Sequence, residues 1–347
     1  MSLEVIEPGF LTTVQDAGRT DWTHIGVPVA GACDGWSLAI ANRLAGNPPG
    51  AAALEMTLVG GAYRATTSVR IGLAGAELGG HVRETDRLLL PGRSHLVAAG
   101  STIAFPGFAD ADAGARAYLA IPGGIDVPEV LGSRSTALAA GFGGLKGRAL
   151  RTGDVIVSFG DTRRASGPRN STQSRFSGQP WPESIWPADD ADRHLDAPIR
   201  IIGGPWIGID DLVGRPWRVA AGSDRVGLRL EGPPIRAEGR SMGLDDRADL
   251  PSFGVIPGSI QVPPDGAPIV LLADAQTTGG YPVVAVAIAA DMPRLGQLRP
   301  GAEVRFAEVT IGAATDALRQ HQAALERGAT LLHESAAWDD AWQGAGG

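Results

Sequence analysis

The sequence predicts a mainly β chain in which one β unit occurs twice. Three observations carry that expectation. Glycine (49) and proline (25) are abundant among the 347 residues, a turn-dense composition in which helical periodicity is scarce. Residues 269–273 and 283–290 are short apolar runs rich in β-branched side chains, which have the length and make-up of buried strands. Three blocks also recur in the same order. GSTIAFP at 100–106 returns as GSIQVPP at 258–264, and GARAYLAIPGG at 114–124 as GAPIVLLADAQTTGG at 266–280. LRTGDVIVSF at 150–159 returns as LRPGAEVRF at 298–306, and each of these last two reads as a hairpin signal.

Taken in order, residues 36–45 predict a helix, with Asp34 as its cap and Gly46-Asn47-Pro48 as its end. Residues 161–197 are rich in Ser, Pro, Asp and Arg and read as a linker. Residues 313–327 form a second, amphipathic helix stopped by Gly328, and a loose tail follows from 336 to 347. The domains implied are 1–160 and 198–310, with 161–197 between them and a C-terminal helix and tail over 311–347.

Composition narrows the function. A chain 44% hydrophobic with net charge −8 is globular, and its acidic balance argues against nucleic acid as the main partner. Lys146 is the only lysine and is followed by Gly147, which excludes a phosphate loop of the Gly-Lys-Ser/Thr kind. It equally excludes a Met-Lys-Met biotin site, so no cofactor is expected to be covalently bound. Cys33 is the single cysteine, read as a small core residue in a reducing compartment. The start of the chain shows no basic segment followed by an apolar one, and no apolar run approaches the ~18–20 residues of a membrane span. A cytoplasmic chain with no membrane partner is the expectation. His81, His95, His194, His321 and His333 show no ligand spacing, so no metal site is predicted.

Between the two apolar runs lie Asp274, Gln276, Thr277, Thr278, Gly279, Gly280 and Tyr281. Glycines there allow a ligand or another backbone to approach, and polar side chains concentrated on a connection between core strands point to binding. The alternative is a self-satisfied Thr/Gly turn. The first half carries its own cluster: Gln15 and Asp16 in TTVQDAGR, then His24 and Asp34. Ser133-Arg134-Ser135-Thr136 stands where the second half has Gln-Thr-Thr. In a duplicated protein the two clusters are expected to share one pocket. Gly239-Arg240-Ser241-Met242-Gly243 matches the Gly-x-Ser-x-Gly pattern, but it lacks the strand before and helix after that a nucleophile elbow requires.

The segments LTTVQDAGR, HIGVPVAGACD, SLAIANRLAGN, AALEMTL, GSRSTALAAGFGG, SDRVGLRLEGPP and PGSIQVPPDGAPIVLLADAQTTGGYP resemble the biotin-dependent carboxyltransferase family, also named for allophanate hydrolase subunit 2. The resemblance implies two duplicated cyclophilin-like β-barrel domains with a few short helices, and a companion B subunit, with an A subunit in the same system. It implies one of three roles. The first is the C subunit of an ATP-dependent 5-oxoprolinase, with the ATP used by the complex. The second is carboxyl transfer to urea or a related amide, with biotin carried on another protein. The third is a non-catalytic binding subunit of a kinase-inhibitor pair. This chain departs from the family at Ala30, Phe253 and Ala275, where a serine, a glutamate and an arginine are common.

Both reactions develop charge on a planar amide oxygen, so fixed donors are what the chemistry needs. Gln276, Thr277, Thr278 and the amides of Gly279 and Gly280 are candidate donors. Asp274 or Asp224 can orient them or take a proton, and His24 is a candidate base. Arg134 and Arg225 can pair with a substrate carboxylate. Gln15, Asp16, Asp34, Gln261 and Tyr281 complete the expected substrate-binding set. Asp224 reads equally as a turn residue, Arg225 as a structural bridge, and His24 as a hydrogen-bonded structural histidine.

Overall fold

The computed structural model describes residues 1–107, 114–159, 180–182, 196–235, 238–239 and 250–344; for Ile207, 238–239 and 335–344 it describes backbone only. The chain divides into two compact units. One comprises Met1–Gly18, Asp34–Ala188 and Gln322–Gly347, the other Arg19–Cys33 and Asp189–His321.

The first unit is built from two antiparallel sheets. A six-stranded sheet runs in the order Val155–Val157, Ser2–Glu7, Gly61–Ala65, Thr102–Phe105, His81–Val82, Arg87–Leu88. A five-stranded sheet runs Leu11–Gln15, Ala53–Thr57, Arg116–Ala120, Val69–Gly75, Arg93–Val97. Leu3, Tyr63 and Phe105 from the first and Leu54, Ile71 and Leu119 from the second belong to one buried cluster. Each such side chain contributes about 1.5–3 kcal/mol by leaving water. The helix Gly35–Leu44 lies on the five-stranded sheet, with Asp34 at its N-cap accepting from Ser37 N at 2.8 Å, as the sequence predicts. It approaches so closely that a Cβ on Gly72 would stand 2.0 Å from the Ala41 carbonyl oxygen.

The second unit holds an eight-stranded sheet. Its order is Glu303–Val304, Trp217–Val219, Gly227–Glu231, Ile269–Leu271, Ser259–Gln261, Val283–Ala287, Ile199–Gly203, Phe306–Glu308. The two end strands are separated in the chain by Arg305 alone, so the sheet curls until its ends nearly meet. Trp217, Leu228, Ile260, Val270 and Val284 fill it. Two short ribbons complete the unit: Trp206–Ile207 with Glu238–Gly239, and Phe253–Gly254 with Thr278–Gly279.

This corrects the predicted fold class. The chain is a mixed α/β fold with one near-closed barrel sheet and several open ones, not two closed cyclophilin-like barrels. The recurring blocks show why. Ser259–Gln261 and Ile269–Leu271 are neighbours in the eight-stranded sheet, whereas Thr102–Phe105 and Arg116–Ala120 lie in different sheets. Equal sequence signals thus entered unequal pairings.

The matched Arg-x-Gly turns do share a conformation. Asp154 N donates to Arg151 O and Ala302 N to Arg299 O, with Gly153 and Gly301 at φ 85° and 87°. They are not hairpins, because the strands that leave them pair with the distant Ser2–Glu7 and Trp217–Val219.

The last helix is longer than predicted and runs Ile311–Gly344, taking in most of the expected tail. Gly328 is buried within it beside Ala324, Ala329 and Leu332, so packing outweighs the ~1 kcal/mol glycine penalty. Residues 161–179 and 183–195 of the predicted linker, and residues 240–243 of the Gly-x-Ser-x-Gly match, lie outside the described residues. Among the described residues, no helix is long and apolar enough to cross a membrane.

Candidate functional site

In the first unit the polar cluster forms around Asp16. The strand Leu11–Gln15 ends there, and Asp16 is 8% exposed. Its donors come from a tight turn 117–119 residues later. Val130 N donates to Ser133 O and Ser133 N to Val130 O, with Leu131 and Gly132 at φ 54° and 77°. That is the geometry of a two-residue hairpin turn with left-handed central residues. It delivers Ser133 Oγ at 2.6 Å and Ser135 Oγ to Asp16 Oδ1, and Arg134 N at 2.6 Å to Oδ2. Gly18 N adds a bond to Oδ1 at 2.8 Å. These donors are all neutral, and they spend both carboxylate oxygens on folding the loop.

The other first-unit candidates are tied in similar ways. Gln15 is fully buried; its Nε2 donates to Thr13 Oγ1 at 2.9 Å and Thr136 O at 3.2 Å. Asp34 caps its helix, and its amide donates to Tyr118 Oη, which donates to Glu55 at 2.7 Å. The Arg134 guanidinium pairs with Glu129 at 2.9 Å and lies 4.7 Å from the centre of the Phe159 ring.

In the second unit the cluster is organised by an ion pair. Arg225 Nε and Nη2 donate to Asp274 Oδ2 and Oδ1, both at 2.9 Å, with the two side chains only 2% and 5% exposed. The same guanidinium donates to Gly31 O at 2.7 Å and to Cys33 Sγ at 3.4 Å. One planar fork therefore holds both the end of the Arg19–Cys33 excursion and the root of the loop that carries Gln276. A short side chain spans neither gap, and the flat, fixed donor array of arginine does.

Beyond Asp274 the loop turns outward. Gln276, Thr278 and Tyr281 are exposed, and Thr277, Gly279 and Gly280 are half-buried. Val255 N donates to Thr277 O at 2.9 Å, and the ribbon with Phe253–Gly254 fixes Thr278 and Gly279. Gln276 Nε2 donates to Oε1 of the buried Gln261 at 3.4 Å. A Cβ on Gly279 would stand 2.5 Å from Gln261 Nε2, so glycine at this position lets the loop lie directly on the amide.

His24 is exposed on the 3-10 turn Thr20–Ile25, which belongs to this unit although it lies early in the chain. Asp224 is exposed, and its Oδ1 accepts from Val226 N at 2.8 Å and Gly227 N at 3.1 Å, a local turn.

The structure thus gathers Gln15, Asp16 and Arg134 with Ser133 and Ser135 in one unit, where Asp34 caps the nearby helix. It gathers Arg225, Asp274, Gln276 and Gln261 in the other. The roles of Gly31 O and Cys33 Sγ as Arg225 acceptors had no signal in the sequence, because no spacing rule links residues 192–194 positions apart. What faces outward in the second unit is a set of amide and hydroxyl donors on a loop rooted in a buried ion pair.

Comparison with known proteins identifies the class of chain to which this fold and site belong. Residues 25–308 match the carboxyltransferase domain, subdomains A and B. The sequence is 36% identical to the C subunit of the Escherichia coli 5-oxoprolinase over 337 residues, covering 95% of this chain and 99% of that one. It is 32% identical to the urea amidolyase of Lachancea kluyveri, covering 94% of this chain but 18% of that protein. The crystal structure of the K. lactis urea amidolyase superposes with a TM-score of 0.81 at 31% identity, over 94% of this chain and 20% of that one. The chain belongs to the carboxyltransferase domain family that these proteins share.

Proposed function

We propose that the chain is the C subunit of an ATP-dependent 5-oxoprolinase, acting with A and B subunits to open 5-oxoproline to glutamate. The observation that carries this reading is sequence identity: the chain is 36% identical to a 5-oxoprolinase C subunit over 337 residues, against 32% to a urea amidolyase over 340. In this role the exposed amide of Gln276 and the hydroxyls of Thr277 and Thr278 donate to the lactam oxygen as it gains charge. Each such donor is worth about 2.7–4 kcal/mol of barrier. Arg225 and Asp274 hold that loop, and Gln261 and Gly279 fix the direction of the Gln276 amide. His24 and Asp224, which keep exposed side chains, take the proton-transfer role. The Asp16 cluster, with Gln15, Asp34 and Arg134, supports the first-unit loop.

The test is reconstitution. With purified A and B subunits and ATP, adding this chain should produce glutamate from 5-oxoproline, and Gln276→Ala should lower kcat about 100-fold. Full turnover by the A and B subunits alone would overturn the reading. Transfer from carboxybiotin to urea, without 5-oxoproline cleavage, would replace it with the carboxyltransferase alternative, which the 32% identity to a urea amidolyase supports. Tight binding to the B subunit with neither activity would favour a binding role, in line with the apolar Ala30, Phe253 and Ala275.

A further inference from the structure

The second unit contains a cavity of about 610 Å³ outside the loop described above, lined among others by Gly203, Trp206, Ile209, Asp210, Glu308 and Ile311. The geometry points to this cavity as a binding site for a small organic cation, an ammonium group on an apolar stem. Its size falls within the range of small-molecule pockets.

The charge argument comes first. Asp210 and Glu308 both line the cavity, and among the described residues no basic side chain engages either. Arginines of the same unit are committed elsewhere: Arg215 to Asp211 at 2.7 Å, Arg200 to Asp291 at 2.5 Å and Arg305 to Glu303 at 2.8 Å. Two unmatched carboxylates on one cavity attract a cation and repel phosphate or carboxylate ligands.

The walls then select an organic cation over a metal ion. The Trp206 indole is part of the lining, and an aromatic ring is a favourable neighbour for a cation. It is braced by Phe253, with ring centres 4.9 Å apart and planes inclined by 27°. Ile209 and the 71% exposed Ile311 supply apolar surface for a stem, from which an inorganic ion gains nothing.

Gly203 keeps room beside the carboxylate. A Cβ there would lie 3.4 Å from Glu308 Oε1 and 3.5 Å from Ile209 Cδ1, an ordinary contact that takes up ligand space without strain. Phe253 also pairs with Gly279, so a ligand on Trp206 stands one ring away from the strand that bears the Gln276 loop.

The experiment is calorimetric titration of the full chain with butylammonium, using 1-butanol as the neutral match. Butylammonium should bind in the millimolar range, more weakly as salt rises, and 1-butanol should bind far less. The double variant Asp210→Asn/Glu308→Gln should weaken binding about tenfold, since it removes both carboxylate charges while keeping the shape of the lining. Gly203→Ala should weaken it with no change of charge, and unfolding midpoints equal to the parent's would verify the fold of each variant. No heat with butylammonium, equal binding of 1-butanol, or full affinity in the double variant would overturn the proposal. If Gly203→Ala shifted the midpoint, the surface carboxylate pair would still decide. The readout is binding by this chain alone, so the outcome is independent of the 5-oxoprolinase reading.

Discussion

Asp16 and Asp274 solve one problem in two ways. Each is a carboxylate buried where a strand of its unit gives way to a polar loop. Asp16 is held by hydroxyls and backbone amides, mostly from a turn that folds locally. Asp274 is held by the guanidinium fork of Arg225, which also reaches the Gly31 carbonyl. A nest of neutral donors fails in steps, because each donor removed leaves the others in place. A buried ion pair fails at once, because losing either member strands a charge in a poorly solvated place.

The sharpest way to break this contrast is Arg225→Ala. It leaves Asp274 buried without its cation and releases the Gly31 carbonyl, and should cost about 3–5 kcal/mol in urea unfolding. Adding Asp274→Ala should recover part of that loss; a strictly additive double variant would show that the pair is not coupled. A smaller effect is expected for Asp16→Asn. The side chain keeps one acceptor oxygen for the serine hydroxyls and loses its charge, so about 1–3 kcal/mol should be lost. A cost as large as that of Arg225→Ala would mean that the neutral nest behaves as an all-or-none unit after all.

The smallest effect tests the first unit by pH. His95 is largely buried on the edge strand Arg93–Val97, and its pKa is held below the ordinary 6.5. Burial is the main cause; the Arg87 and Arg93 charges add to it and the Leu90 carbonyl opposes it. The unfolded chain therefore takes up the proton first as pH falls. Stability is full above about pH 6.5 and declines as pH drops from there through the lower folded value. His95→Gln should flatten that part of the stability profile, and an unchanged slope would remove His95 as its source.

Local chemistry was legible from residue order. The helix Gly35–Leu44 and its Asp34 cap, the strand segments around 269–271 and 283–287, and the Asp224 turn all depend on neighbours within a few positions. The twin Arg-x-Gly segments were legible as turns, though not as the hairpins they suggested. Each rests on backbone preference and short-range hydrogen bonds, which a short window of sequence specifies.

Tertiary structure decided the rest. It set which sheet each duplicated strand entered, and hence that one sheet nearly closes while the others stay open. It carried the last helix through Gly328, because burial of Ala329 and Leu332 outweighs a weak local preference. It joined Arg225 to a carboxylate 49 residues away and a carbonyl 194 residues away. Those choices depend on which surfaces meet once the chain is compact, and similar residue patterns in the two halves met different surfaces.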